Sequence, residues 1–350
     1  MEFVFALKQN VGAPSVSLVK EGDLVQRGQL IATKPAGALG TYLYSSIDGK
    51  VKSITDNQII IEELNTDFDK YIPLKKKLPG ELIEEAGIVG LGGAGFPTSV
   101  KLNADFKGNG TVIVNAAECE PILSHNIERI EQEPEKILKG LSIVMDLVHA
   151  SRGIIAIKGI HTEAIQSLEK HISDEKISIF HLENIYPMGE ERALIRETLG
   201  TLLSPDQLPL AASAIVINAE TLLRIYEAVE LKKPLIDKDM TVAGKLKEDA
   251  SIHILKDVPI GMKVSDVLAK VGGVGSKYGE LIMGGPFTGK RTTLDSPVVK
   301  TTGGIIAAEE FLPAPDKIGL LVCACGANRE RLMEQASSMG AEVVGVEYCK

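Results

Sequence analysis

Between Val16 and Glu62 apolar and polar residues alternate in short runs. The runs are broken at Glu21-Gly22-Asp23, Gly28, Pro35 to Gly40 and Asp48-Gly49, the punctuation of a small all-β unit. From Leu78 to about Glu230 the texture changes. The apolar, β-branched runs TVIVNAA, GIIAIKG, ISIFHLE and AIVINAE read as strands. Amphipathic helical stretches such as HNIERIEQEPEKILKGLSIVMDLVHA separate them, so a mostly parallel sheet covered by helices is predicted. After Leu235 a strand, SIHILKDVPI, leads through Gly261 to the helix VSDVLAKVGG and the strand-turn LIMGGPFTG, a β-grasp-like order. The last segment, KIGLLVCACG, ANRERLMEQASSMG and AEVVGVEYCK, reads as strand, helix, strand. Two strands make a poor independent core, so continuation of the native chain beyond Lys350 is expected.

Length and composition suit this multidomain α/β reading. The 350 residues are 44% hydrophobic and 24% charged, as in a globular chain with a sizeable core. The formal net charge of -9 argues against nucleic acid as a partner, so any phosphate site must be local and built from backbone amides. No apolar run reaches bilayer-spanning length and MEFVFALKQNVG lacks a signal-peptide layout, so a cytoplasmic location without direct membrane insertion is expected. The four cysteines, Cys119, Cys323, Cys325 and Cys349, form no paired CxxC arrangement, and reduced thiols are the default.

The stretch Gly87 to Lys101, GIVGLGGAGFPTSVK, carries the strongest chemical signal. Gly90, Gly92, Gly93 and Gly95 supply the freedom a backbone needs to approach phosphate, and Pro97 suits the first position of a helix opening at the same place. A tightly turning connector is the plain alternative. Asn115 to Pro121, NAAECEP, follows the strand TVIV and falls where ligands bind in open parallel sheets. There an asparagine can hold ring carbonyls and amides, and Glu118 and Glu120 can accept from hydroxyls, although solvated loop acids would look the same. Tyr186 to Glu191, YPMGEE, and Asn218 to Thr221, NAET, occupy equivalent positions. Glu190 and Glu191 also suit a first helical turn, and Asn218 an N-cap.

The ordered set GLGGAGFPT with Lys101, NAAECEP, YPMGEE and VINAET resembles the RnfC component of the Rnf electron-transport complex and, more distantly, the flavoprotein subunit of respiratory complex I. VSLVKEGDLVQRGQLIATK and LYSSIDGKVKSI resemble the barrel-sandwich fold of biotinyl and lipoyl domains. The turn PAGALGTYLYSS has no lysine to modify, which favours a structural role over a swinging-arm carrier. VPIGMKVSDVLAKVGGVG and IMGGPFTGK look like a soluble-ligand-binding β-grasp (SLBB) domain. The resemblance covers roughly Val4 to Gly304. It implies a barrel-sandwich domain over 1–70, a Rossmann-like FMN- and NADH-binding α/β domain over 71–235 and an SLBB domain over 236–304, and the strand-helix-strand reading leaves a partial βαβ unit over 305–350.

The resemblance further implies FMN held noncovalently, reduced by NADH and reoxidised in single-electron steps. Gly90, Gly92, Gly93, Gly95, Lys101, Asn115, Glu118, Glu120, Tyr186, Gly189, Glu190, Asn218 and Thr221 would line the flavin. Phe96, Lys101 and Glu191 would meet the dinucleotide, and no side chain is required as a catalytic acid or base. Two departures stand out. Ala104 and the LPLAA segment near Leu208 carry no ring where good NADH binders clamp adenine. The family's cysteine-rich iron-sulfur motifs are also absent, so no iron-sulfur cluster is expected within this chain. In this the pattern looks most like the branch of the family associated with proline reductase.

If the last unit is βαβ, Cys323, Cys325 and Cys349 leave one edge of its sheet as a redox dithiol or partial metal site, or else they are buried strand cysteines. Cys119 reads as packing. His125, the other histidines and Lys75 to Lys77 read as solvated surface with no metal spacing. The leading expectation is an electron-transfer flavoprotein component passing electrons from NADH to a partner reductase or iron-sulfur protein, peripheral to a membrane complex if it attaches to one. The alternatives are an FMN protein fed by a protein donor and a scaffold that has lost its flavin.

Overall fold

Residues 112–114 are apolar throughout, as a strand covered on both faces must be, and they sit inside the strand Gly110–Ala116 of a four-stranded parallel sheet. The computed structural model describes residues 1–247, 252–310, 315–323 and 328–349. The sheet runs in the order Ile177–Leu182, Ala150–Lys158, Gly110–Ala116, Ala214–Asn218, so all four predicted strands form and all pair in parallel. Alternate side chains go to opposite faces. Val112, Val114 and Ala116 share a core with Leu141, Val144 and Leu222 from the helices Pro134–Leu147 and Ala219–Glu230. Ile113 and Ala117 pack instead with Leu194 and Ile195 of the helix Glu191–Leu199.

The long helix predicted over HNIERIEQEPEKILKGLSIVMDLVHA is two helices, His125–Gln132 and Pro134–Leu147. Pro134 offers no N–H and forces Glu133 out of helical geometry, to φ -136° and ψ 49°. Gly140 lets the second helix lie against Ala219–Glu230, because a Cβ there would fall 2.2 Å from the Leu222 carbonyl oxygen.

The N-terminal residues form two antiparallel sheets. One is Glu2–Ala6, Gln58–Glu63, Gly49–Ile54 and Leu24–Val25, and the other Val16–Ser17, Leu30–Thr33 and Leu43–Tyr44. Phe3, Phe5, Ile31, Ile47, Ile59 and Ile61 are fully enclosed. Their core continues into Met240, Val242, Val264 and Ile305, so the N-terminal sheets and the third segment bury their apolar faces against each other. That third segment is a five-stranded mixed sheet in the order His253–Pro259, Asp237–Gly244, Gly304–Glu309, Tyr278–Met283, Lys290–Thr292, with the helix Val264–Ala269. Met1–Ala308 is one compact unit. The other, Glu309–Lys350, contains the expected strand-helix-strand, with Lys317–Val322 and Glu342–Tyr348 parallel and Arg329–Ser338 between them.

No local pattern announces the strand Asp237–Gly244, because it opens with the charges Asp237, Lys238 and Asp239. All three are buried. Arg224, 2% exposed, places its guanidinium 2.9 Å from Asp239, 2.8 Å from Asp257, 2.9 Å from Glu227 and 3.3 Å from Glu220. Arg129 reaches the same Asp239 at 2.5 Å and Asp257 at 2.6 Å. Lys238 pairs with Glu220, and Arg27 of the N-terminal segment meets Asp237 at 2.6 Å. Burial pushes the Asp239 carboxyl up, but the Arg224 charge and the bonds from Arg129 outweigh it and hold it below the usual carboxylate range. Removing one member strands its partners without compensation. Arg224→Ala is expected to lower the stability of the 1–308 unit by about 3–5 kcal/mol, read as a fall in the urea midpoint. A cost under about 1 kcal/mol, the range of a surface pair, would contradict this role.

Candidate functional site

The glycine stretch forms a turn at Leu91–Ala94 whose neck is closed by the Val89–Pro97 bridge and by the Gly90 N–H donating to the Phe96 carbonyl at 2.9 Å. Gly92, Gly93 and Ala94 are exposed. Pro97 differs from its expected place. It flanks the helix Thr98–Lys101 as its cap, with ψ 121°, and that helix is a single turn, so the loop itself, not a long helix start, presents the amides. Among the described residues the Gly92 and Gly93 N–H groups meet no backbone acceptor. Gly95 is buried at φ 72°, where a Cβ would lie 3.0 Å from Thr301 and 3.2 Å from Asn10. Fully buried Lys300 supports the loop's entrance. Its Nζ donates to the Tyr42 and Gly87 carbonyls at 2.6 and 2.7 Å, and burial pulls its pKa down to about 7.

The floor comes from the strand ends. Asn115 and Asn218 are register partners on adjacent parallel strands. The Asn218 Oδ1 caps the helix Ala219–Glu230 by accepting from Glu220 N at 2.9 Å and Thr221 N at 3.3 Å. Its amide lies under the turn, 2.7 Å from where a Gly92 Cβ would be. The Thr221 hydroxyl accepts from Leu91 N at 3.1 Å. Asn115 donates to the Gly189 carbonyl at 2.9 Å, and Gly189 lacks a Cβ where one would meet the Cys119 Cβ at 2.6 Å. Glu190 caps the helix Glu191–Leu199, accepting from Arg192 N and Ala193 N, each at 3.0 Å. Lys101 Nζ bridges Glu191 and the Val216 carbonyl, both at 2.8 Å.

Glu118 and Glu120 part company. Glu118, at φ 40°, turns its carboxylate inward, where it accepts from Asn126 N at 3.2 Å and lies 3.7 Å from His125 Nδ1. His125 is therefore a correction to the surface reading. Its ring is buried with Nδ1 3.2 Å from the Thr241 hydroxyl, because the third segment packs across the 118–125 loop. Glu120 turns outward and caps the turn between Tyr278–Met283 and Lys290–Thr292, accepting from Phe287 N at 2.9 Å and the Thr288 hydroxyl at 2.6 Å. The Phe287 ring stands edge-on to Tyr186, centroids 4.7 Å apart. Sequence reasoning missed Phe287 and Thr288. GGPFTG reads as a turn, and nothing local says that it reaches the loop after Gly110–Ala116.

A family model described as the Nuo51 FMN-binding domain matches residues 83–227, and one described as the RnfC barrel sandwich hybrid domain matches residues 1–67. The RnfC-type component of a proton-translocating ferredoxin:NAD(+) oxidoreductase complex from Clostridium ljungdahlii is 33% identical over 321 residues, spanning 86% of this chain and 69% of the relative. Its counterpart in the Na(+)-translocating complex from Acetobacterium woodii is 32% identical, spanning 87% and 72%. The chain belongs to the RnfC family. Cobalamin reductase PduS of Salmonella typhimurium is 36% identical over 67% of this RnfC-family chain and 50% of its own length. A chain of an NAD+-reducing [NiFe]-hydrogenase superposes with a TM-score of 0.55 at 21% identity, covering 65% of this chain and 46% of that one, a likeness of fold alone.

Two clefts of this RnfC-family chain lie apart from the glycine turn. One of about 530 Å³ is lined by Gln29, Tyr42, Ile72 and Glu81, and one of about 360 Å³ by Lys34, Gly80, Val100 and Leu147. In the C-terminal unit Val322 and Tyr348 are register partners and Cys349 N donates to the Val322 carbonyl at 2.9 Å, so Cys323 and Cys349 leave the same end of the two strands. Cys323 is disulfide-bonded, which corrects the reduced-thiol default there, and Cys325 lies outside the described residues. Among the described residues no group of three or more His, Cys, Asp or Glu side chains is placed to hold a metal.

Burial, only partly offset by Glu118, lowers the His125 pKa from 6.5 to about 4. The unfolded chain thus takes up this proton first on acidification. The contribution is complete above pH 6.5 and is lost as the pH falls towards 4, by about 3 kcal/mol in all. His125→Gln is expected to flatten that stretch of the stability profile in urea titrations. Parallel slopes for parent and variant would refute the assignment.

Proposed function

We propose that this chain is an electron-transfer flavoprotein component that holds FMN noncovalently between the Leu91–Ala94 turn and the ends of the parallel strands. It would take electrons from NADH and deliver them to a partner reductase or iron-sulfur protein. The observation that carries this reading is the exposed turn itself. Gly92 and Gly93 present amides with no backbone acceptor among the described residues, and a Cβ on Gly93 would meet no protein atom within 4 Å. That is open space beside bare donors, which suits a phosphate-bearing ligand. When bound, FMN supplies the exchange between a hydride donor and single-electron acceptors.

The chain's own groups supply binding and orientation. The amides of Gly92 and Gly93 would take the phosphate. The Asn115 and Asn218 side chains are fixed by their hydrogen bonds to the protein and need no reordering to meet polar ring atoms. Lys101, held between Glu191 and the Val216 carbonyl, places a cation near the rim. Gly90, Gly95, Glu118 and Thr221 act by shaping the turn and its supports. In this reading the three segments of the 1–308 unit are a barrel-sandwich domain over 1–70, the flavin domain over 71–235 and an SLBB domain over 236–304. Among the described residues no helix is long and apolar enough to cross a membrane, and attachment to any membrane complex would be through partner proteins.

A second reading keeps the flavin but draws electrons from a protein donor. It is favoured by Ala104 and by residues 208–212, which carry no ring and leave Leu208 and Leu210 exposed. Anaerobic visible spectroscopy after loading with FMN, followed by NADH titration, separates the two. Bleaching of retained colour supports NADH as donor, and retained colour indifferent to NADH supports the protein donor. Gly93→Val is expected to weaken FMN binding about tenfold or more at unchanged urea stability, since the new side chain would occupy the ligand's space and not the protein's. Undiminished flavin binding in that variant would remove the site.

A further inference from the structure

The turn over residues 284–289 belongs to the third segment, yet it is fastened to the flavin domain by specific contacts. Glu120, in the loop after Gly110–Ala116, accepts from both Phe287 N and the Thr288 hydroxyl. Gly285 has no room for a side chain, because a Cβ would lie 2.1 Å from Glu120 Oε2 and 2.4 Å from Glu120 Cβ. The consequence is the placement of one ring. Phe287 stands at 77° to Tyr186 with centroids 4.7 Å apart, and both rings are open to solvent, 59% and 47% exposed. A chain with 8 Phe, 7 Tyr and no Trp among 350 residues has few rings, and here two of them stand side by side with open faces that a ligand ring could stack on.

This corner is continuous with the glycine turn. Gly92 rests on Asn218, Asn218 pairs in register with Asn115, Asn115 holds the Gly189 carbonyl, and Gly189 follows Tyr186 in the same loop. Two rings at a right angle offer a flat face and an edge to a third aromatic ring. We propose that Phe287 and Tyr186 form the aromatic corner that receives a ring of a pyridine dinucleotide, with Glu120 as the positioning residue that holds Phe287 at the rim. The proposal rests on the flavin reading and deepens it. The ring missing from the 208–212 segment is replaced by one supplied from another domain, so the binding surface is complete only when the 284–289 turn is latched.

The test uses the full chain loaded with FMN and NAD+ as the probe. Phe287→Ala is expected to leave FMN affinity within about twofold and to weaken NAD+ binding about tenfold or more, read by equilibrium dialysis. Phe287→Trp adds a tryptophan to a chain that has none, and its emission is expected to be quenched by NAD+ while binding is retained. Glu120→Gln is expected to weaken NAD+ binding in the parent but to add nothing in the Phe287→Ala background, a coupling that a merely structural carboxylate would not give. NAD+ binding unchanged by Phe287→Ala, or tryptophan emission from the Phe287→Trp variant that is indifferent to NAD+, overturns the inference. A parent that retains FMN but binds no NAD+ overturns it while leaving the flavin site standing, whereas a parent that retains no FMN overturns both.

Discussion

The seating of the third sheet against the helices of the parallel sheet depends on one buried cluster of charges. Arg224 and Arg129 leave two different helices of the parallel-sheet domain and converge on Asp239 and Asp257, which belong to neighbouring strands of the third sheet. Asp257 N also donates to Asp239 at 2.9 Å, and Asp239 N to Glu220 at 2.8 Å, so the carboxylates are bonded from the backbone as well as by guanidinium forks. Apolar packing alone would allow the two sheets to slide. A guanidinium deprived of water has to find its acceptors at fixed angles, which sets one relative placement of the two sheets.

That placement has chemical consequences. With the third sheet fixed against the helix His125–Gln132, Thr241 reaches His125 and the 284–289 turn reaches Glu120. The same loop therefore has one carboxylate turned into the protein and one turned out to hold a turn of the third segment. Lys300 acts similarly on the other side, tying the entrance of the glycine turn to Tyr42 of the N-terminal segment. The turn is held at both ends and left bare in the middle. Such an arrangement keeps the donors preorganised without filling the space in front of them.

The sequence states the local half of this clearly. Apolar, β-branched runs give all four parallel strands, and the residues following them, Asn115, Gly189, Glu190 and Asn218, do assemble at one end of the sheet, because parallel strands put their carboxyl ends together. The glycines mark the turn. Local reading fails where a charge is buried. No strand is predicted over Asp237–Gly244, and His125 reads as a surface residue, because partners on other elements are what make their burial tolerable.

The sequence by itself determined the four parallel strands, the glycine turn and the set of motifs that place this chain in its family, since these are written in short-range periodicity and residue type. Only the tertiary structure decided which of Glu118 and Glu120 turns outward, that Phe287 meets Tyr186, and why a strand should begin with three charges. Those outcomes are contacts between separate elements, some more than a hundred positions apart, such as Glu120 with Thr288 and Arg129 with Asp239, and some nearer, such as Arg224 with Asp239. Each partner loses water on burial and is compensated only by meeting the other, and the partner lies in a different secondary-structure element.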